Sequence, residues 1–199
     1  QSLKILNRLV AEHPGTAYAA EAQFRRGELL FSTRDYAGAE AAYATVLTGT
    51  ERTQYHERAL YMQGWSRFKQ GRLDDALKPL FGVLDAKLGN EGAELSRADR
   101  ELVEDTFRVT SISLANLQGA ESIPAYITDD KRRSYEFRVY EQLGELYLKQ
   151  ERVKDAADTY SAFARRQPLH AQAPQLQARV IEIYQGNGFP ALALDAKKD

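Results

Sequence analysis

Three stretches of the chain align on one another without a gap. They are residues 20–47, "AEAQFRRGELLFSTRDYAGAEAAYATVL", residues 57–84, "ERALYMQGWSRFKQGRLDDALKPLFGVL", and residues 137–164, "FRVYEQLGELYLKQERVKDAADTYSAFA". A repeat constrains a fold more tightly than composition does, because each copy must bury its apolar face against a neighbouring copy. In every copy a glycine is followed twelve residues later by an alanine: Gly27 and Ala39, Gly64 and Ala76, Gly144 and Ala156. Four residues further on stands Tyr43, Leu80 or Tyr160, and three beyond that Val46, Val83 or Phe163.

Apolar spacings of three and four on both sides of a short polar link predict two amphipathic helices joined by a tight turn. The links are "STRDY", "KQGRL" and "KQERV". A glycine inside a helix costs about 1 kcal/mol relative to alanine, so Gly64, next to the single tryptophan Trp65, needs a compensating gain. Close crossing of two antiparallel helices supplies one, with Gly64 expected opposite Ala76.

These registered positions resemble tetratricopeptide repeats, units of 34 residues built as helix–turn–helix. The resemblance implies an all-α fold, a right-handed superhelix of stacked repeats. The family's first-helix packing positions correspond to Leu30 in the first copy and to Tyr140, Leu143 and Tyr147 in the third. Arg26 and Gln63 depart from its preferred leucine, and Arg67 from its preferred aromatic. A single array is expected over 1–199: the end of a repeat at 1–14, repeats at 20–51, 57–88 and 137–168, a divergent repeat at 94–128 and a partial one at 174–199. Pro14 and Pro168 fall in the terminal proline slot, and Ile181 and Ala193 take the glycine and alanine positions of the last unit. In the divergent unit, a long first helix and a shortened second one containing Pro124 are expected. Apolar residues near both ends (Leu3, Leu6, Leu9; Leu192, Leu194) lead to the expectation of a longer array.

Composition excludes several function classes. The 27 basic and 28 acidic residues leave a net charge of −1, without the basic excess that a dominant nucleic-acid surface requires. No cysteine is present, so thiolate chemistry and disulfides are absent. No apolar run is long enough to span a bilayer. His13, His56 and His170 lie in different junctions and share no helix face, so no metal site is expected. Asp74 and Asp75 begin a second helix, the segment at 129–133, "DDKRR", looks like a solvated connector, and "GNG" at 186–188 looks like a turn. No catalytic constellation or cofactor motif emerges, and the chain is expected to be no enzyme, with no cofactor.

The resemblance also implies where a partner binds. In the family, first-helix positions two, five, nine, twelve and thirteen line a concave groove for peptides or helices. They correspond here to Glu21, Phe24, Glu28, Phe31 and Ser32 in the first copy. The second copy supplies Arg58, Tyr61, Trp65, Phe68 and Lys69, and the third Arg138, Glu141, Glu145, Leu148 and Lys149. An aromatic groove around Phe24, Phe31, Tyr61, Trp65 and Phe68 is therefore expected, flanked by Arg58 and Lys69, with Glu28, Glu141 and Glu145 on the same faces. The competing expectation is that Phe31, Phe68 and Tyr61 pack against the next repeat. Positions five and nine lack the lysine and asparagine with which some members clamp a C-terminal carboxylate.

The implied function is a non-catalytic scaffold for a protein or peptide partner. "HPGTAYAAEAQFRRGELLF" is similar to the linker and first helix of bacterial envelope members of outer-membrane assembly and Tol-Pal type. Pro14 and Gly27 are 13 residues apart where the period needs ten. "VYEQLGELYLKQERVKDAADTYSAF" and "RQPLHAQAP" are similar to TonB-associated members. A periplasmic or outer-membrane-associated role follows as an expectation. A cytosolic adaptor and an accessory domain of a larger enzyme are the alternatives.

Overall fold

The computed structural model of the protein describes residues 2–13, 17–49, 52–89 and 94–197. The described α-helices are α1 (Ser2–Glu12), α2 (Ala17–Ser32), α3 (Tyr36–Leu47), α4 (His56–Lys69), α5 (Leu73–Leu88), α6 (Arg97–Ala115), α7 (Asp130–Lys149), α8 (Val153–Arg166), α9 (Ala173–Gly186) and α10 (Pro190–Asp195). A 3₁₀ helix, Gly119–Ala125, contains Pro124 and stands between α6 and α7. No strand occurs among the described residues. Consecutive helices pack in pairs, the arrangement of an α-solenoid of tetratricopeptide repeats.

Four helix pairs share one turn, although their links differ in sequence. Seven residues after each glycine position the backbone enters the left-handed region: Arg34 at φ 66°, Gly71 at 77°, Glu151 at 59° and Gly188 at 79°. The next residue donates its N–H to the carbonyl five residues back: Asp35 to Leu30, Arg72 to Arg67, Arg152 to Tyr147 and Phe189 to Tyr184, at 2.8–3.0 Å. That bond satisfies a carbonyl left over at the helix C-terminus. The same four residues then accept the first bond of the following helix, from Ala39, Ala76, Ala156 and Ala193. Turn chemistry thus stops one helix and starts the next within two residues.

The glycines admit close approach, but the side chain they admit is the one sixteen residues on. A β-carbon on Gly27 would stand 2.6 Å from Cε1 of Tyr43, and one on Gly64 would stand 2.7 Å from Leu80. Tyr160 lies over Gly144 in the same way. Ala76 meets Gly64 through its backbone oxygen, 3.4 Å from that β-carbon position. The expected pairing of Gly64 with Ala76 is present as this backbone approach, and Leu80 in addition fills the space above the glycine.

Two compact units make up the chain, Gln1–Ser113 and Leu114–Asp199. The core of the first holds Phe24, Leu30, Tyr43 and Val46 between α2 and α3, and Leu77, Leu80, Phe81 and Leu84 along α5. The core of the second is built from Tyr140, Leu143, Tyr160, Phe163, Leu176 and Val180. There Glu136 is buried on α7, with Arg166 Nε at 2.5 Å and Gln167 Nε2 at 3.2 Å. Two donors compensate its lost hydration. Residues 130–133 are the first turn of α7, capped by Asp129, whose carboxylate accepts from Arg132 N at 2.9 Å. They are no connector, because the cap starts the helix ahead of the aligned repeat.

Candidate functional site: the exposed face of α4

In the first unit α3 packs against both α2 and α4, and α4 packs against α5. Phe24 on α2 stacks on Tyr55, just before α4, with ring centroids 5.2 Å apart, and Arg58 reaches over its ring at 5.7 Å. Lys87 on α5 pairs with Asp99 on α6 at 2.6 Å. Arg108 on α6 lies over the Trp65 ring of α4, at 5.9 Å.

These contacts divide the expected groove residues. Phe24 is only 1% exposed and touches Tyr43 and Tyr55, so it belongs to the core and offers no surface to a partner. This corrects its assignment to the groove, and the physical reason is the Tyr55 ring that closes over it. Phe31 is half-buried, packs against the same core and meets Tyr36 edge-on. Glu28 is held by Arg25 at 2.8 Å and stands near the Tyr43 hydroxyl, which is buried and has no hydrogen-bond partner among the described residues.

Tyr61, Trp65 and Phe68 are half-buried and come together with Lys69. Trp65 and Phe68 meet edge to face at 5.3 Å, and Lys69 Nζ stands 5.4 Å from the centre of the Trp65 ring. Burial raises the Tyr61 hydroxyl above its usual range, opposed by a hydrogen bond with Trp65, while Asp105 pushes up and Arg108 down. Arg108 also donates to Asp105 at 3.1 Å. A wide-open hollow of about 490 Å³ along α6 is lined by Arg97, Arg100, Glu101, Glu104 and Asp105.

Sequence reasoning missed Asp105 and Arg108. They lie in the divergent stretch, which does not align with the three copies, so register carried no signal for them.

Glu141 and Glu145 belong to the second unit. Glu145 accepts from the Tyr160 hydroxyl at 3.2 Å and pairs with Arg179 of α9. Its carboxylate is therefore engaged within its own unit. Glu141 is half-buried and stands near Tyr160. His170 stacks on Phe137 at 5.9 Å and accepts from Gln172 N through Nδ1. Among the described residues no group of three or more His, Cys, Asp or Glu side chains is placed to hold a metal ion. No described helix is long and apolar enough to cross a membrane.

No curated protein matches the chain. Two family profiles do, both of the tetratricopeptide repeat, one over residues 1–55 and 141–180 and the other over residues 58–82. Those segments together cover more than half of the chain and include the turns of three of the four helix pairs that share the recurrent bond. The chain belongs to the tetratricopeptide-repeat family.

Proposed function

We propose that the chain is a non-catalytic scaffold that receives a peptide or helix of a protein partner on the exposed face of α4. The observation that carries this reading is the Tyr61–Trp65–Phe68 cluster. Three aromatic side chains stay half-open to solvent beside exposed Lys69, where a helix built only for stability would bury them or lack them. Aromatic side chains with adjacent cations are the usual anchors of protein interfaces. Tetratricopeptide repeats act generally as protein-binding units, and stacked helix pairs expose long first-helix faces suited to this.

The test is capture of partners from cells of the source organism by the wild type and Trp65→Ala side by side, with circular dichroism on both. Partners retained by the wild type and lost by a fully helical Trp65→Ala support the reading. Identical capture by both proteins overturns it.

We further propose that the scaffold works in a bacterial cell envelope, in an assembly or energy-transducing complex, at the periplasmic or outer-membrane surface. The long interval between Pro14 and Gly27 and the "RQPLHAQAP" linker support this by their similarity to envelope members of the family. Pro14 itself lies outside the described residues. Fractionation of cells expressing the full-length gene tests it: recovery in the cytosol alone overturns the envelope reading.

A further inference from the structure

Arg58 and Lys69 stand eleven residues apart on α4. On a helix that is about three turns, roughly 16 Å along the axis and only about 20° apart around it. Tyr61 and Trp65 lie between them on the same side, Trp65 about 20° from Arg58. Both cations are exposed, and their contacts among the described residues are with rings: Arg58 with Phe24 and Lys69 with Trp65. Neither takes part in an ion pair there. Arg108, by contrast, is paired with Asp105. The α4 face therefore presents an aromatic centre between two cations that lack carboxylate partners.

Building on the partner-binding reading of this face, we propose that its occupant is an extended acidic segment of a protein, with an aromatic or large aliphatic side chain between two carboxylates. Charge complementarity and spacing both select that chemistry. In an extended chain alternate side chains share one face, and residues i and i+4 lie about 13 Å apart. An acidic residue, an apolar one two positions later and a second acidic one two after that would span the stripe, with the reach of Glu, Arg and Lys covering the remainder. Lys69 has a second role. When its ammonium moves from the Trp65 ring to the incoming carboxylate, it uncovers that ring face for the apolar side chain. Contact with a cation is thereby exchanged for a salt bridge plus apolar burial.

Trp65 is the only tryptophan, so its fluorescence reports directly on the face. The probe is a blocked peptide with the core Glu-Ser-Phe-Ser-Glu, compared with analogues carrying Lys for both Glu residues or Ser for Phe. The Glu peptide is expected to change Trp65 emission saturably and to bind at least tenfold more tightly than either analogue, with affinity falling as salt is raised. In the Arg58→Glu/Lys69→Glu double variant the preference should invert towards the Lys peptide. Both positions are exposed, and circular dichroism checks that the fold persists. Equal binding of the Glu and Lys peptides, no emission change with any of them, or an unaltered Glu preference in the double variant overturns the proposal. The outcomes separate the two readings. If partner capture depends on Trp65 while the peptides show no charge preference, the acidic class falls and the scaffold reading stands. If capture is independent of Trp65, both fall.

Discussion

The Arg67 guanidinium donates through Nη1 to the backbone carbonyl of Asp75, at 3.1 Å. That carbonyl is the one whose helical partner is missing, because Pro79, four residues on and inside α5, has no N–H to give. The same side chain donates through Nε to Glu40 at 2.8 Å, and is only 20% exposed. Arg67 thus repairs one helix and ties it to the preceding pair, which explains why a cation stands where the family prefers an aromatic.

Arg67→Met should lower stability by about 2–4 kcal/mol, since it leaves a carbonyl and a half-buried carboxylate short of donors. In a Pro79→Ala background, where the residue 79 N–H can reach Asp75 again, the same change should cost at least about 0.5 kcal/mol less. Urea unfolding of the four proteins measures the coupling. Strict additivity would show that Arg67 does not serve the Asp75 carbonyl.

Glu40 also gathers Gln70 Nε2 and Arg72 Nη1, each at 2.8 Å. Burial alone would raise its pKa. The hydrogen bonds from Arg67 and Gln70, with the charges of Arg67 and Arg72, outweigh burial and hold it below its ordinary value of 4.5. A depressed carboxylate pKa means that the unfolded chain binds more protons in this range. The contribution of Glu40 is therefore complete above about pH 4.5 and is lost as pH falls through the lower folded value. Glu40→Gln should be less stable than the wild type at pH 7, and the gap should narrow as the pH drops below 4. Melting temperatures across pH 3–7 check this, and a gap that widens on acidification would contradict it.

The recurrent turn tests backbone strain directly. Arg34 and Glu151 occupy the left-handed position that Gly71 and Gly188 fill without a steric penalty. Arg34→Gly and Glu151→Gly should each raise stability, by up to about 1 kcal/mol after the entropy of the added glycine is counted. Gly71→Ala should lower it by a comparable amount, although nothing lies within 4 Å of the added methyl group. Chemical denaturation measures all three.

Space, in place of torsion, governs Gly27. Its neighbour Tyr43 is 0% exposed and cannot swing aside, so Gly27→Ala should cost about 1–3 kcal/mol despite alanine's better helix propensity. Tyr43→Leu introduced with it should recover part of the loss. Gly186, at the end of α9 with nothing within 4 Å, provides the comparison: Gly186→Ala should leave thermal stability unchanged or raise it.

Much of this architecture is legible in the linear pattern, for reasons visible at particular residues. Helix pairs follow from apolar spacings that only a 3.6-residue period satisfies, and tight crossing follows from Gly27, Gly64 and Gly144 in one register. The turn is harder to read. Arg34 and Glu151 carry no left-handed signature, and their conformation follows only from alignment with Gly71. The start of α7 was missed because Asp129 and Asp130 read as solvated charge, whereas Asp129 serves as a cap.

At the site, local order determined which residues share the α4 face: Arg58, Tyr61, Trp65, Phe68 and Lys69 are neighbours on one helix whatever surrounds it. Tertiary contacts decided which first-helix aromatics stay open. Phe24 and Tyr61 hold the same position in adjacent repeats, yet Tyr55 closes over Phe24 while Tyr61 remains half-buried beside Trp65. Burial depends on what another element places above a ring, and Tyr55 does so from a link between repeats. Arg108 reaches Trp65 from the segment that escaped the alignment. Periodicity specified the face of each helix, and non-local packing selected the part of that face left to a partner.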